Sequence, residues 1–281
     1  MRLTIRIITD GGADFPEKIA REHGFHIVPL HVTFGDEAFD IRQGMTSFYS
    51  KMKTNSVLPK TASPSPQDFV EAYERYPEDD ILVIGLSSGL SSTYQHALLA
   101  KEMAEEGGST RRIEVIDTRN ASIGQGLIAY RASQEIAAGK PFSEVAAAAQ
   151  AYAEGTRTLI YLDTLENVVK GGRLDRAKGA IASVLNIKLF MHASPEGTVE
   201  VVEKVRGKKN ALAKLVAKVD ELGSSAADKV LGIAHSTTEE EVRGLLARIL
   251  EKNPFREVVV TEVGPVIGTY AGQGGIVVSY T

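Results

Sequence analysis

Ile81-Leu82-Val83-Ile84-Gly85-Leu86-Ser87-Ser88-Gly89-Leu90-Ser91-Ser92-Thr93 runs from an unbroken apolar stretch through a loop of small and hydroxyl residues into the helical pattern of 92–105. A short, continuous apolar run bounded by glycine reads as a strand buried on both faces, the habit of parallel sheets. Working outward, the same alternation repeats. Strands are predicted at Leu3 to Ile8, Phe25 to Phe34 and Ile113 to Ile116, and helices at Phe15 to His23, Gln67 to Arg75 and Ser92 to Glu105. That order predicts a parallel sheet covered by helices on both faces. Ligands of such sheets bind outside the carboxyl ends of the strands, so the loops after Ile8, Phe34, Gly85 and Ile116 are the places to search.

Two further helices are predicted at about Ser122 to Ala138 and Ser143 to Glu154, separated by Gly139 and Pro141. The lobe boundary is expected near Gly155, dividing the chain into 1–155 and 156–281. The second part mixes βα units with a hairpin. It reads as strand Leu159 to Leu162, helices Thr164 to Lys170 and Ala177 to Leu185, and the pair Ile187 to His192 and Val199 to Lys204 about Ser194-Pro195-Glu196-Gly197. Helix Lys208 to Leu222, strand Val230 to Ala234, helix Glu239 to Lys252 and strands Glu257 to Val263 and Gly275 to Tyr280 complete it. A length of 281 residues suits two α/β lobes better than one core.

Composition excludes several classes. With 43% apolar and 24% charged residues the chain is ordinary for a globular protein. A net charge of -4, with basic residues spread along the chain, argues against nucleic acid or anionic membrane as a partner. The absence of cysteine removes disulfides, thiolate metal sites and cysteine nucleophiles. None of the six histidines forms a ligand pair on one helix, so no metal and no cofactor is expected. MRLTIRIITD alternates like a strand and lacks the core of a signal peptide, and no apolar run approaches the roughly 18 residues of a membrane helix. A cytoplasmic protein is expected.

Three hydroxyl- or turn-rich segments carry the candidate chemistry. In 85–93, hydroxyls and backbone N–H groups at a helix start favour an oxyanion or carboxylate, although serine also serves as an ordinary cap. The same residues contain a G-x-S-x-G pattern through Gly85, Ser87 and Gly89, with Asp163 and His235 following in the order used by α/β-hydrolases. The alternative reading is therefore a serine hydrolase, but the loop continues through three further hydroxyl residues and no HGGG-type segment is present. In 60–66, Ser65 and Pro66 read as a helix cap and first-turn proline, which leaves Thr61 and Ser63 unexplained. Asp10-Gly11-Gly12-Ala13-Asp14 reads as a tight turn with Asp14 capping the next helix. The run Lys204, Arg206, Lys208 and Lys209 reads as a solvated face, with a docking patch as the second reading.

Seven blocks, in order, resemble the DegV family across essentially the whole chain. They are Ile8 to Pro16, Lys60 to Pro66, Ser87 to Gln95, Asp117-Thr118-Arg119, Asp163 to Glu166 with Lys170 to Arg173, Glu203 to Lys209, and Gly264 to Thr269. The resemblance implies a two-lobed fold with a tunnel between the lobes, and a non-catalytic carrier that buries a long-chain fatty acid. It further implies presentation of the carboxylate to a separate fatty acid kinase, which forms an acyl phosphate. It puts carboxylate contacts on Thr61 and Ser91, with Ser88 and Ser92 as alternatives and Arg173 in support, and puts Arg206 on the kinase-facing surface. Tyr270 stands where the family's G-T-H has histidine, replacing a cationic donor by a neutral phenol.

Overall fold

The computed structural model describes residues 4–55, 57–77, 79–174 and 187–281. Strands β1 (Ile5–Asp10), β2 (His26–Val28), β6 (Asp80–Gly85) and β7 (Ile113–Asp117) form an all-parallel sheet in the order β2-β1-β6-β7. Every residue of β6 is buried, as its continuous apolar run predicts. Because successive side chains point to opposite faces, Ile81 and Val83 pack with Phe69, Tyr73 and Ala97, while Leu82 and Ile84 pack with Ile128, Ala132 and Val145. The first set belongs to helices α3 (Pro66–Glu74) and α4 (Thr93–Glu106), and the second to α5 (Ser122–Ala137) and α6 (Phe142–Gly155). Helix α1 (Glu17–Glu22) connects β1 to β2.

The predicted strand from Phe25 to Phe34 is two strands. Pro29 has no N–H to give, so the parallel ladder stops at Val28, and β3 (His31–Phe34) turns away to pair antiparallel with β4 (Glu37–Ala38) and β5 (Lys60–Ala62). Helix α2 (Gly44–Thr54) closes this small sheet through Phe48, whose ring lies 5.6 Å from Phe34 and 5.2 Å from Phe39, edge to face. As predicted, Ser65 caps α3 and Pro66 occupies its first turn. Asp68 completes the cap by accepting from the Ser65 N–H at 2.7 Å.

The second sheet is mixed, in the order β10-β9-β8-β13-β11-β12. Its strands are β8 (Arg157–Tyr161), β9 (Ile187–Ala193), β10 (Val199–Arg206), β11 (Val230–His235), β12 (Glu257–Glu262) and β13 (Ile276–Tyr280). Strand β13 lies in the middle, antiparallel to both β8 and β11. Helices α8 (Lys208–Asp220) and α9 (Glu239–Leu250) cover one face. The other face rests on α5, where Ile123 and Leu127 pack with Val230, Ala234 and Val277. Helix α5 therefore serves both sheets and is buried along most of its length. Gly232 makes that packing possible, since a Cβ there would lie 2.4 Å from Ile123 Cγ1 and 3.0 Å from Leu127 Cδ1. Helix α7 (Glu166–Lys170) follows β8, and α10 (Pro265–Ala271) spans the gap between β12 and β13. The predicted helix Ala177 to Leu185 lies outside the described residues.

Candidate functional site

Between the two sheets lies a largely apolar cavity that opens to solvent. The first lobe contributes Leu30, Leu86, Leu90 and Ala121 to its wall, and the second contributes Ile160, Leu162, Val168, Val266, Ile267 and Val277. These are the residues left over when two apolar faces meet without interdigitating, so the wall offers almost no hydrogen bonds to water.

A cluster of donors closes one end. The Thr61 hydroxyl on β5 and the Tyr270 phenol on α10 are 2.6 Å apart. The Arg173 guanidinium sits 5.0 Å from the centre of the Tyr270 ring and donates to the Leu90 carbonyl at 3.2 Å and the Gly171 carbonyl at 2.8 Å. The bond to Leu90 ties Arg173 to the serine-rich loop, where the Ser91 hydroxyl pairs with Thr93 Oγ1 at 2.8 Å. Thr61, Ser91, Arg173 and Tyr270 all line the cavity. Their arrangement supplies neutral donors beside one fixed positive charge, which suits a single carboxylate or a comparable oxyanion.

The remaining hydroxyls of the loop are placed elsewhere. Ser88 donates to Asp117 Oδ2 at 2.5 Å, while its N–H reaches Asp117 Oδ1 at 3.2 Å, and Ser92 meets Ser63 at 2.7 Å on an exposed surface. Neither is among the cavity-lining residues. Turn geometry makes the distinction: the N–H groups of Leu90 and Ser91 both return to the Ser87 carbonyl, at 3.0 and 3.1 Å. Arg206 is exposed at the end of β10, and Lys209 is exposed beside it. Lys208 is tied down by Glu241 at 2.7 Å.

The hydrolase arrangement is not assembled. Ser87 is fully buried and donates to the Gly197 carbonyl at 2.6 Å. His235 Nδ1 lies 3.2 Å from the Thr237 carbonyl, and Asp163 is held by Tyr161 and Lys188, each at 2.8 Å. Burial opposes the charge on Asp163, but these two partners hold its carboxyl below the ordinary value.

Several wall residues escaped the sequence reading. Two of them, Thr158 and Asn120, are joined by a hydrogen bond from Thr158 to Asn120 Oδ1 at 2.6 Å, and Thr158 meets Ser279 behind the lining at 2.8 Å, so these polar groups satisfy one another. Arg119 and Ser122 adopt left-handed backbone angles, φ 51° and 56°, at the entrance to α5. The signal for them was the loop after Ile116 together with the Asp117-Thr118-Arg119 block. Asp14 does not cap α1. It accepts from the Ser122 hydroxyl at 2.6 Å and from the Gly264 N–H at 2.7 Å, joining β1, α5 and the start of α10. Burial pushes its carboxyl up to about 6, against both of those hydrogen bonds, and raises Asp10 to a similar value.

Among the described residues no group of three or more His, Asp or Glu side chains is placed to hold a metal ion, and no helix is long and apolar enough to cross a membrane. Fold and cavity together define a two-lobed α/β protein with an apolar chamber between its lobes and a hydroxyl-rich end. Residues 4–281 match the DegV family of uncharacterised proteins, and the chain belongs to that family. It is 32% identical over 283 residues to a DegV domain-containing protein of Halalkalibacterium halodurans, covering 98% of each chain. A DegV-family crystal structure from Ruminococcus gnavus, refined with vaccenic acid, has a TM-score of 0.91 at 31% identity and covers 98% of this chain and 99% of its own. A DegV-family protein from Thermus thermophilus, described for its fatty acid binding, gives 0.90 at 27% identity with 99% of both chains covered.

Proposed function

We propose that this protein is a non-catalytic carrier that holds one long-chain fatty acid in the chamber between its lobes. The observation that carries this reading is an apolar wall ending at Thr61, Ser91, Tyr270 and Arg173. Relatives refined with vaccenic acid or described as fatty acid binding support the ligand class. Burying about 14 methylenes at about 0.8 kcal/mol each contributes about 11 kcal/mol before association costs. The tail supplies affinity, and the hydroxyl end fixes register.

The carboxylate sits at Thr61, directly or through its bond to Tyr270, with Ser91 beside it and Arg173 as the counter-charge. Arg206 and Lys209 form the surface on which a partner kinase docks to convert the presented carboxylate to an acyl phosphate. Lipid extraction and mass spectrometry of the natively purified protein test the core of this reading. Close to one fatty acid per chain is expected. Recovery of none, together with no uptake of added oleate, would overturn it.

A further inference from the structure

The buried Ser87 hydroxyl has no place in the carboxylate site, yet it makes one of the direct hydrogen bonds by which the first lobe holds the second. It accepts from the Gly89 N–H at 3.2 Å and donates to the carbonyl of Gly197, the tip of the β9–β10 hairpin, at 2.6 Å. That tip is a self-contained turn: Ser194 N–H donates to the Thr198 carbonyl at 2.8 Å, Gly197 N–H to the Ser194 carbonyl at 2.9 Å, and the two hydroxyls pair at 2.9 Å. Gly197 adopts φ 80°, and a Cβ there would fall 2.2 Å from Ser87 Oγ and 3.0 Å from Arg119 Cα. A Cβ on Gly89 would fall 2.9 Å from the Glu196 carbonyl oxygen and 3.0 Å from the Gly197 carbonyl carbon. Two glycines thus let the tip seat flush against the first lobe. Its inner side, with Ala193, Gly197, Thr198 and Val199, is part of the cavity wall.

We infer that the 194–198 turn is a door on the chamber and that the Ser87–Gly197 hydrogen bond is its latch. The inference rests on the carrier reading above. Among the described residues β10 pairs with β9 alone, at the edge of the second sheet, so the tip lifts without breaking a further described ladder. The latch joins two neutral groups, a hydroxyl and a carbonyl. A buried acyl chain leaves through this opening, and Ser87 sets the rate.

Two variants test the latch without touching a cavity-lining residue. Ser87→Ala removes the hydrogen bond, and Gly89→Ala inserts a methyl group against the turn's backbone. Release of radiolabelled oleate and of its uncharged methyl ester should accelerate about fivefold in Ser87→Ala, the order expected for losing one neutral hydrogen bond. Gly89→Ala should do at least as much. Both should also raise amide exchange over 193–199. Should release stay at the wild-type rate while those amides exchange faster, the door is elsewhere. Faster release of oleate but not of the ester means that the change reached Ser91 and the head group, which also overturns the proposal. Wild-type protein that takes up neither ligand would overturn the carrier reading itself. Melting curves of each variant identify any that fails to fold, and the other then decides.

Discussion

Thr61 and Tyr270 lie 209 positions apart in the chain, yet their hydroxyls meet at 2.6 Å where the small sheet of the first lobe faces α10 of the second. On the carrier reading proposed above, the contact makes the head-group site a property of both lobes together, since neither contains it alone. It also bears on Tyr270, which stands where the resemblance to the family implies a histidine. The phenol shares a hydrogen bond with Thr61 while its ring takes the guanidinium of Arg173, two roles that one imidazole would fill differently.

Tyr270→Phe separates those roles. The ring stays beneath Arg173 and only the hydroxyl is lost, so binding of the acid should weaken roughly tenfold or more, the scale of a hydrogen bond to a charged group. Thr61→Val should act alike. Fluorescence titration with a fatty acid and its methyl ester measures both, and equal losses for the two ligands would show that the pair shapes the fold and does not read the head group.

Most of the chamber's walls follow from sequence periodicity, and its ends do not. Continuous apolar runs such as Ile81–Ile84 announce a parallel sheet, and the Ser65-Pro66 pair announces a helix start, because both signals lie within a few residues. The hydroxyl rim follows from resemblance, which puts the contacts on Thr61 and Ser91, with Ser88 and Ser92 as alternatives in the same loop, and points to Arg173 and Tyr270 beside them. A one-residue difference in a turn decides which hydroxyl faces inward. Asn120, Thr158 and Ser279 were out of reach for another reason: each is an ordinary polar residue until a partner 38 to 121 positions away satisfies it. The two-strand split at Pro29 follows from proline's missing donor, which outweighs the longer apolar pattern of Phe25 to Phe34.

Asp14 gives the fold a pH response. Its folded value of about 6 exceeds the ordinary carboxylate value of 3.8, so the folded protein binds the proton more tightly. The stability that Asp14 contributes is complete below about pH 4 and is lost as pH rises through about 6, a change on the order of 3 kcal/mol at most. Asp14→Asn should therefore gain on wild type as pH increases. Urea midpoints of both proteins from pH 4.5 to 7.5 provide the check, and a gap that does not change with pH would show an unshifted carboxyl.

Gly232→Ala should destabilise the whole molecule by about 1 to 3 kcal/mol, because the added methyl group overlaps Ile123 on a helix that both sheets share. Denaturation followed by hydrogen exchange should report loss in β6 and β11 together. Loss confined to the second sheet would mean that the lobes unfold separately.

Arg206→Glu is expected to abolish acyl phosphate formation with a partner kinase while leaving fatty acid affinity and melting temperature at wild-type values. Exposed charges govern encounter more than the stability of their own domain. A labelled-ligand titration beside a reconstituted phosphorylation assay reads both arms. Equal falls in the two would assign Arg206 to the ligand site or the fold.

The shared position of α5 also has a consequence for how the protein is made. The helix leaves the ribosome with one flank already matched to the first sheet, but the strands that cover Ile123 and Leu127 are encoded about a hundred residues later, and the middle strand β13 comes last. At ordinary elongation rates the nascent chain carries that bare apolar flank for roughly ten to thirty seconds. Through that interval the unfinished first lobe depends on chaperones or on its own transient collapse, and a premature stop before Val230 leaves a product whose stickiest surface is never covered.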